Sequence, residues 1–400
     1  MHQQTSRIVG AAAACAALCL PFMAHAQSSV TVYGKLYPQI NNYDISSATP
    51  VGSANSLSVS NGAPSRHGTA MESSNSRLGF RGVESLGNDM KAFFKLEMQL
   101  GVDDGSVSST NFWNRASLVG LSGNFGSFSF GRMDTVYKTL GDQLDMLGIG
   151  SGNFPGVTTI LSYQGFGANT TSNFHGRANN SVLYESPKFY GFQLLGQYAF
   201  GEVPNDSSSG SQISAGLKYQ SGSLYVALAH EIHDDLYGGS RNMPTAAQRS
   251  LTGKQSRDQA TRFTARYGFT KSTTAEFDIA SLQWKESGGP IGDFEKYKRI
   301  SWSLIGQHKI GPWTLQASYG EATAGSCELM GGVGCSTAGL GAHVYNIGAS
   351  YALSKRTMVF VIASQLNNNS LATFSNTSAA GKADPGADIR QIAIGMSHSF

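Results

Sequence analysis

The chain ends Ile389-Arg390-Gln391-Ile392-Ala393-Ile394-Gly395-Met396-Ser397-His398-Ser399-Phe400. Successive residues of a strand point to opposite faces, so Ile392, Ile394, Met396 and Phe400 share one surface while Gln391, Ala393, Gly395, Ser397 and Ser399 share the other. A strand of a soluble sandwich shows the same alternation. The small and polar second face, together with an aromatic at the very end, fits lipid outside, water inside and a ring at the membrane boundary. This is the pattern of the closing strand of an outer-membrane β-barrel.

The other end of the chain agrees. Arg7 precedes a mostly apolar run, Ile8 to Leu20, followed by Ala24-His25-Ala26, a small-x-small cleavage sequence. The expectation is a signal peptide over 1–26 and one barrel domain over 27–400. The apolar run is too short for a spanning helix, and no later stretch approaches the roughly 18 apolar residues such a helix needs. Cys15 and Cys19 fall in this segment without a convincing lipoprotein cleavage sequence, so no lipid anchor is expected. Charged residues make up only 14 % of the chain, against roughly 25 % in soluble domains, yet mean hydropathy is slightly negative. Few charges with mild polarity suit an inside-out protein whose Ser, Asn, Gln and Gly face water. A net charge of +3 is too small to suggest nucleic acid.

About sixteen segments of alternating or aromatic-rich character follow, near 29–40, 76–85, 88–101, 112–121, 125–132, 177–186, 190–200, 211–219, 223–231, 259–268, 272–284, 297–308, 312–321, 341–351, 355–365 and 389–400. The links between them alternate strictly. Short ones such as Ser122-Gly123-Asn124, Gln220-Ser221-Gly222 and Ile310-Gly311 carry turn formers, and long ones lie near 41–75, 102–111, 133–176, 201–210, 232–258, 285–296, 322–340 and 366–388. Tight turns on one rim and extended loops on the other are what an even-stranded barrel requires; a Greek-key sandwich mixes the two kinds at both ends. Individual segments agree: Phe192, Leu194, Tyr198 and Phe200 oppose Gln193 and Gln197, and Trp313, Leu315, Ala317 and Tyr319 oppose Thr314, Gln316 and Ser318. Segment 355–365 is apolar on both faces because of Val359 and Val361, for which packing against a neighbouring subunit is one account.

Cys327 and Cys335 bracket a Gly-rich loop that suits a disulfide in an oxidising compartment. Metal ligation is the competing reading, with no His beside the pair at zinc-site spacing. His230 and His233 in His230-Glu231-Ile232-His233 point to opposite faces of a strand and share a metal poorly. There is no Gly-x-Ser-x-Gly elbow, Walker loop or Cys-x-x-Cys. The expectation is no enzyme, no metal and no cofactor.

The ordered set Ser29-Val30-Thr31-Val32-Tyr33-Gly34, Ser76-Arg77-Leu78-Gly79-Phe80-Arg81-Gly82-Val83-Glu84, Lys91-Ala92-Phe93-Phe94-Lys95-Leu96-Glu97, Asn114-Arg115, Gly131-Arg132, Asn179-Asn180-Ser181, Tyr184-Glu185-Ser186-Pro187 and His398-Ser399-Phe400 resembles the trimeric Gram-negative porins of the betaproteobacterial branch. The resemblance runs along the whole chain after the signal. It departs at Ser85, where an acid is usual, and at Asn88-Asp89, where glycines are usual, which bears on the shape of that turn. It implies an all-β transmembrane antiparallel barrel of 16 strands in the outer membrane, assembled as a homotrimer among lipids and lipopolysaccharide. It also implies a third loop, here Met133–Gly176, folded inward to narrow a water-filled pore for ions and small hydrophilic solutes.

By family position, Arg77, Arg115 and Arg177 would line the constriction and face Asp134, Asp142 and Asp145 of that loop. Strand parity agrees for Arg77 and Arg177. Fixed guanidinium charge at a neck raises anion occupancy, so weak anion preference is expected; bracing of the loop by carboxylate pairs is the alternative role. Arg81 has the same parity but a deeper position, and Arg132 shares parity with Phe128 and Phe130, which turns it toward a neighbouring subunit. Lys218, Arg262, Arg266 and Arg299 are candidate wall residues, with solvated rim charges the commoner outcome for such positions. A solute-specific channel of the same fold, a surface adhesin using loops 232–258 or 366–388, and a barrel enzyme are the other readings.

Overall fold

The computed structural model describes residues 29–107, 111–141, 143–144, 147, 154–168, 170–201, 210–245, 248–375 and 381–400. The expected signal segment, Asp142, Asp145 and the Gly-rich stretch 148–152 lie outside the described residues.

Strand β1 runs Ser29–Leu36 and resumes as Pro38–Ile45, and β2 runs Arg66–Ser73 and resumes as Arg77–Gly87. The others are β3 (Met90–Gln99), β4 (Ala116–Gly123), β5 (Gly126–Asp134), β6 (Arg177–Glu185), β7 (Phe192–Ala199), β8 (Gln212–Ser221), β9 (Leu224–Asp234), β10 (Gln255–Gly268), β11 (Thr273–Ser287), β12 (Phe294–Ile310), β13 (Trp313–Ala322), β14 (Ala342–Ala352), β15 (Thr357–Asn368) and β16 (Ile389–Ser399). All sixteen sit where the alternation places them. The first link is shorter than the sequence suggests, because β1 continues to Ile45 and β2 starts at Arg66. Pro38 has no N–H to give the ladder, and β1 breaks just before it. Across that break Ser76 Oγ accepts the Tyr37 N–H at 2.8 Å.

Each strand pairs antiparallel with the next, and β16 returns to β1, with Ile394 opposite Ile40 and Lys35 opposite Ser399. The last residue closes the ring: Gly34 and Phe400 exchange backbone hydrogen bonds at 3.1 Å. A Cβ at position 34 would stand 2.4 Å from the Phe400 ring, so this seam requires glycine. At the second-strand turn, Asn88 and Asp89 both adopt positive φ, the geometry of a primed hairpin turn, so the missing glycines do not prevent the reversal.

The outer face carries the expected apolar residues, with Ile347 66 % and Ile394 62 % exposed to the surrounding medium. Aromatics ring both rims, including Tyr267–Phe269 and Trp313–Tyr351 near the short turns and Tyr198–Phe200 and Trp302–Tyr319 toward the long loops. Among the described residues no helix is long and apolar enough to cross a membrane. On the long-loop rim Cys327 and Cys335 are joined, their Cα atoms 5.6 Å apart.

The inner face divides in two. From β8 to β15, and as far as Ala393 of β16 and Tyr37 in the break of β1, it is covered by the segment between β5 and β6, which enters the barrel and forms two short helices, α1 (Val136–Gly141) and α2 (Val157–Ser162). Tyr137, Leu140, Ile160, Leu161, Phe166 and Phe174 of this segment make one buried cluster with Tyr225, Leu282, Trp284, Tyr297 and Ile305 of the wall. The interior is therefore not lined by polar side chains throughout: here water has been replaced by a protein core. The apolar doubling of segment 355–365 has the same cause. Val359 and Val361 point outward, whereas Phe360 and Ile362 point inward and are buried with Leu147, Phe154 and Tyr37. Coverage by the inward segment accounts for the inner pair without a neighbouring subunit.

Candidate functional site

Register places charge on the wall that the inward segment leaves uncovered. Across β1, β2 and β3, the inner residues form three adjacent rows: Thr31–Arg81–Lys95, Tyr33–Gly79–Glu97 and Lys35–Arg77–Gln99. Neighbouring strands lie about 4.8 Å apart and alternate residues of one strand about 6.7 Å apart, so four cations stand around a single carboxylate. Glu97 is nearly buried and fully engaged. It takes the Arg115 Nε–H at 2.7 Å and the Tyr33 hydroxyl at 2.9 Å, with Lys95 Nζ 3.5 Å away. Arg81 lies over the Tyr33 ring at 5.2 Å and Lys35 over the Tyr37 ring at 4.1 Å. Among the described residues, no acid stands within ion-pair distance of Arg77 or Arg81.

The three arginines singled out from the sequence thus separate. Arg77 is on the inner wall without an acid partner, Arg115 is tied to Glu97, and Arg177 is tied to Asp134 at 2.9 Å. The parity argument for Arg177 does not survive. The β5–β6 ladder slips between Gly131 and Met133, with Asn180 at positive φ, so counting back from Tyr184 no longer decides the face. The slip sets Arg177 opposite Asp134, to which Lys138 of α1 adds a contact at 3.0 Å. This trio ties down both roots of the inward segment. Arg132 donates to the Asn114 carbonyl at 2.9 Å and to Asn179 Oδ1.

Arg262 and Arg299 are not rim charges. Both are buried on the covered wall, at 2 % and 1 % exposure. Arg262 Nε donates to Asp278 Oδ1 at 3.0 Å and Nη2 to the Gly141 carbonyl at 2.7 Å; Asp278 also accepts the Thr264 hydroxyl at 2.6 Å. Arg299 donates to the Tyr163 carbonyl and to Ser301 Oγ, and its guanidinium lies 5.0 Å over the Phe374 ring. Burial raises the Tyr137 and Tyr163 hydroxyls above the usual phenol range, so both stay protonated, and Tyr137 donates to the Leu161 carbonyl at 3.0 Å. Nothing in the sequence alone distinguishes these arginines from Arg77. Lys95 was legible, since Phe94 and Leu96 take the lipid side and leave Lys95 and Glu97 to the lumen.

Among the described residues no group of three or more His, Cys, Asp or Glu is arranged to hold a metal ion. His230 bonds Thr261 Oγ1 at 2.8 Å, while His233 is buried between Ser172 and Glu231, each 2.8 Å away.

A closed sixteen-stranded barrel with an inward segment and a cationic free wall is the architecture of a pore. The sequence profile of the family described as Gram-negative porin matches residues 10–371. The chain belongs to that family.

Among relatives of this porin, outer membrane porin protein 32 of Delftia acidovorans is 30 % identical over 97 % of the chain and 98 % of its own length. A major outer membrane protein P.IB of Neisseria meningitidis is 24 % identical over 85 % of this chain and 88 % of its own. The solved anion-selective porin from Comamonas acidovorans superposes with a TM-score of 0.68 at 23 % identity, over 93 % of this chain and all of that one. This protein is an outer-membrane porin, and the segment between β5 and β6 is the inward third loop of its barrel.

Proposed function

We propose that this porin passes small hydrophilic solutes with a preference for anions, and that the preference originates on the free wall. The observation that carries the reading is the three-row arrangement of Lys35, Arg77, Arg81 and Lys95 around one engaged carboxylate, Glu97. Fixed charge on a low-dielectric wall concentrates counter-ions in a narrow lumen, and a guanidinium keeps its charge at every physiological pH. Arg77 and Arg81 contribute most, because no acid among the described residues stands at ion-pair distance from either. Arg115 and Arg177 contribute less, being paired with Glu97 and Asp134. The anion selectivity named for the Comamonas acidovorans structure is consistent with this assignment. The functional unit is a homotrimer of mature chains beginning after Ala26, and its solutes diffuse without chemical change.

Reversal potential across a planar bilayer under a salt gradient tests the assignment. The parent should favour the anion, more at 10 mM than at 1 M salt, because the screening length falls from about 30 Å to about 3 Å. The double variant Arg77→Ala with Arg81→Ala should lose most of the preference, and Arg115→Gln, which removes one cation and bares Glu97, a smaller part. Cation preference in the parent, or an unchanged potential in the double variant, would overturn the reading.

A further inference from the structure

The two helices of the third loop have six residues each, and their C-terminal carbonyls have no partner within the helix. Side chains of the barrel wall supply hydrogen-bond donors at both ends, joined at the end of α2 by Tyr137 of α1. At the end of α1, Tyr225 donates its hydroxyl to the Leu140 carbonyl at 2.8 Å, and Arg262 Nη2 donates to the Gly141 carbonyl at 2.7 Å. At the end of α2, the Tyr163 carbonyl accepts from Arg299 Nη2, and the Leu161 carbonyl accepts the Tyr137 hydroxyl at 3.0 Å. Each helix thus terminates on one arginine of the wall and one tyrosine, all four buried.

We propose that Arg262 and Arg299 are positioning residues that set the bore of the pore by fastening the ends of the loop-3 helices to the wall. The chemistry suits a latch. A guanidinium bond to a carbonyl in a water-poor setting is charge-assisted and strong. Asp278 orients Arg262, with Thr264 on the same carboxylate oxygen, while Ser301 and the Phe374 ring orient Arg299. Arg262 is neutralised by Asp278, and Arg299 is shielded behind the loop. Neither therefore adds much to the field in the lumen, and their effect on transport is geometric.

This predicts a separation of readouts in single-channel recordings of the full chain. Arg299→Met strands no acid, because Arg299 has no carboxylate partner among the described residues. It should raise the fraction of time spent in altered-conductance levels about tenfold, the size of effect that follows from losing one charge-assisted bond, and lower the voltage at which the pore closes. The reversal potential should match the parent, and Arg299→Lys should restore part of the steadiness. Arg262→Lys keeps a cation beside Asp278 but gives up the reach to Gly141, and should act in the same direction. If Arg299→Met fails to fold, Tyr225→Phe removes a single hydroxyl from the same arrangement and carries the test. Folded variants with the parent's current noise and closing voltage would overturn the proposal. So would a shifted reversal potential with unchanged noise, because that would make these arginines selectivity charges.

Discussion

The wall of β1 to β3 and the wall of β10 to β12 both present arginines to the inside of the barrel, but the two sets serve different ends. On the first, Arg77 and Arg81 face the lumen with no acid among the described residues at ion-pair distance, held in place by backbone register and, for Arg81, by the Tyr33 ring. On the second, Arg262 and Arg299 are buried and donate to wall side chains, Asp278 and Ser301, and to carbonyls of the third loop, Gly141 and Tyr163. The difference does not lie in the residue or in its parity on the strand. It lies in what covers the wall. A loop carrying Tyr137, Leu140, Ile160, Leu161 and Phe174 turns half of the lumen into a core, and a guanidinium buried there needs acceptors from the protein in place of water. On the uncovered half, water solvates the charge and its field reaches passing ions.

The largest expected effect breaks the covered wall. Trp284 is fully buried, stacks on Tyr297 at 5.8 Å, packs against Phe174 and donates its indole N–H to the Ser172 carbonyl at 3.1 Å. Trp284→Ala should cost about 3–5 kcal/mol, the range for removing a large aromatic from a packed core. Urea titration of the protein refolded into vesicles would measure it, with Ile347→Ala on the lipid-facing side as the comparison. A loss below about 1 kcal/mol would mean that the loop merely lies in the lumen and forms no core with the wall.

A smaller effect separates paired from unpaired arginines on the free wall. Arg115→Gln leaves the Glu97 carboxylate, 8 % exposed, short of its closest partner, and should cost about 1–3 kcal/mol. Arg81→Gln strands no acid and should stay within about 0.5 kcal/mol of the parent in the same titration. Equal costs would erase the distinction drawn between these two positions.

These outcomes bear on what the residue order makes legible. The barrel was legible because lipid outside and water inside impose a period of two, and because tight turns and long loops take opposite rims. The candidate site was legible only in part. Arg77 followed from parity, and Lys95 with Glu97 could have been found the same way. Arg177 could not, because the slip beside Asn180 interrupts the count. Nor could Arg262 or Arg299, whose roles depend on where a loop more than a hundred residues earlier comes to rest. The inner apolar pair Phe360 and Ile362 likewise reads as noise in a barrel strand until Leu147 and Phe154 are seen against it.

The smallest effect concerns pH and uses the barrel mouth as a control for the free wall. Asp384, in the last long loop, pairs with Arg66 at 2.7 Å and accepts from Asn61 at the same distance. Burial pushes its carboxyl up, but the hydrogen bonds from Arg66 and Asn61 and the Arg66 charge outweigh that and hold it below the ordinary range. A depressed carboxyl contributes its stability fully above the unfolded-chain value, about 3.9, and loses it as pH falls through the lower folded value. Hydrogen exchange around 381–384 should therefore not loosen from pH 7 to about 4, after correction for the intrinsic rate, and should do so only below that. Over the same titration the anion preference should hold or rise and never fall, since acid removes negative charge while Arg77 and Arg81 stay cationic. A preference that declines on acidification would place the controlling charge on a group that the free wall does not contain.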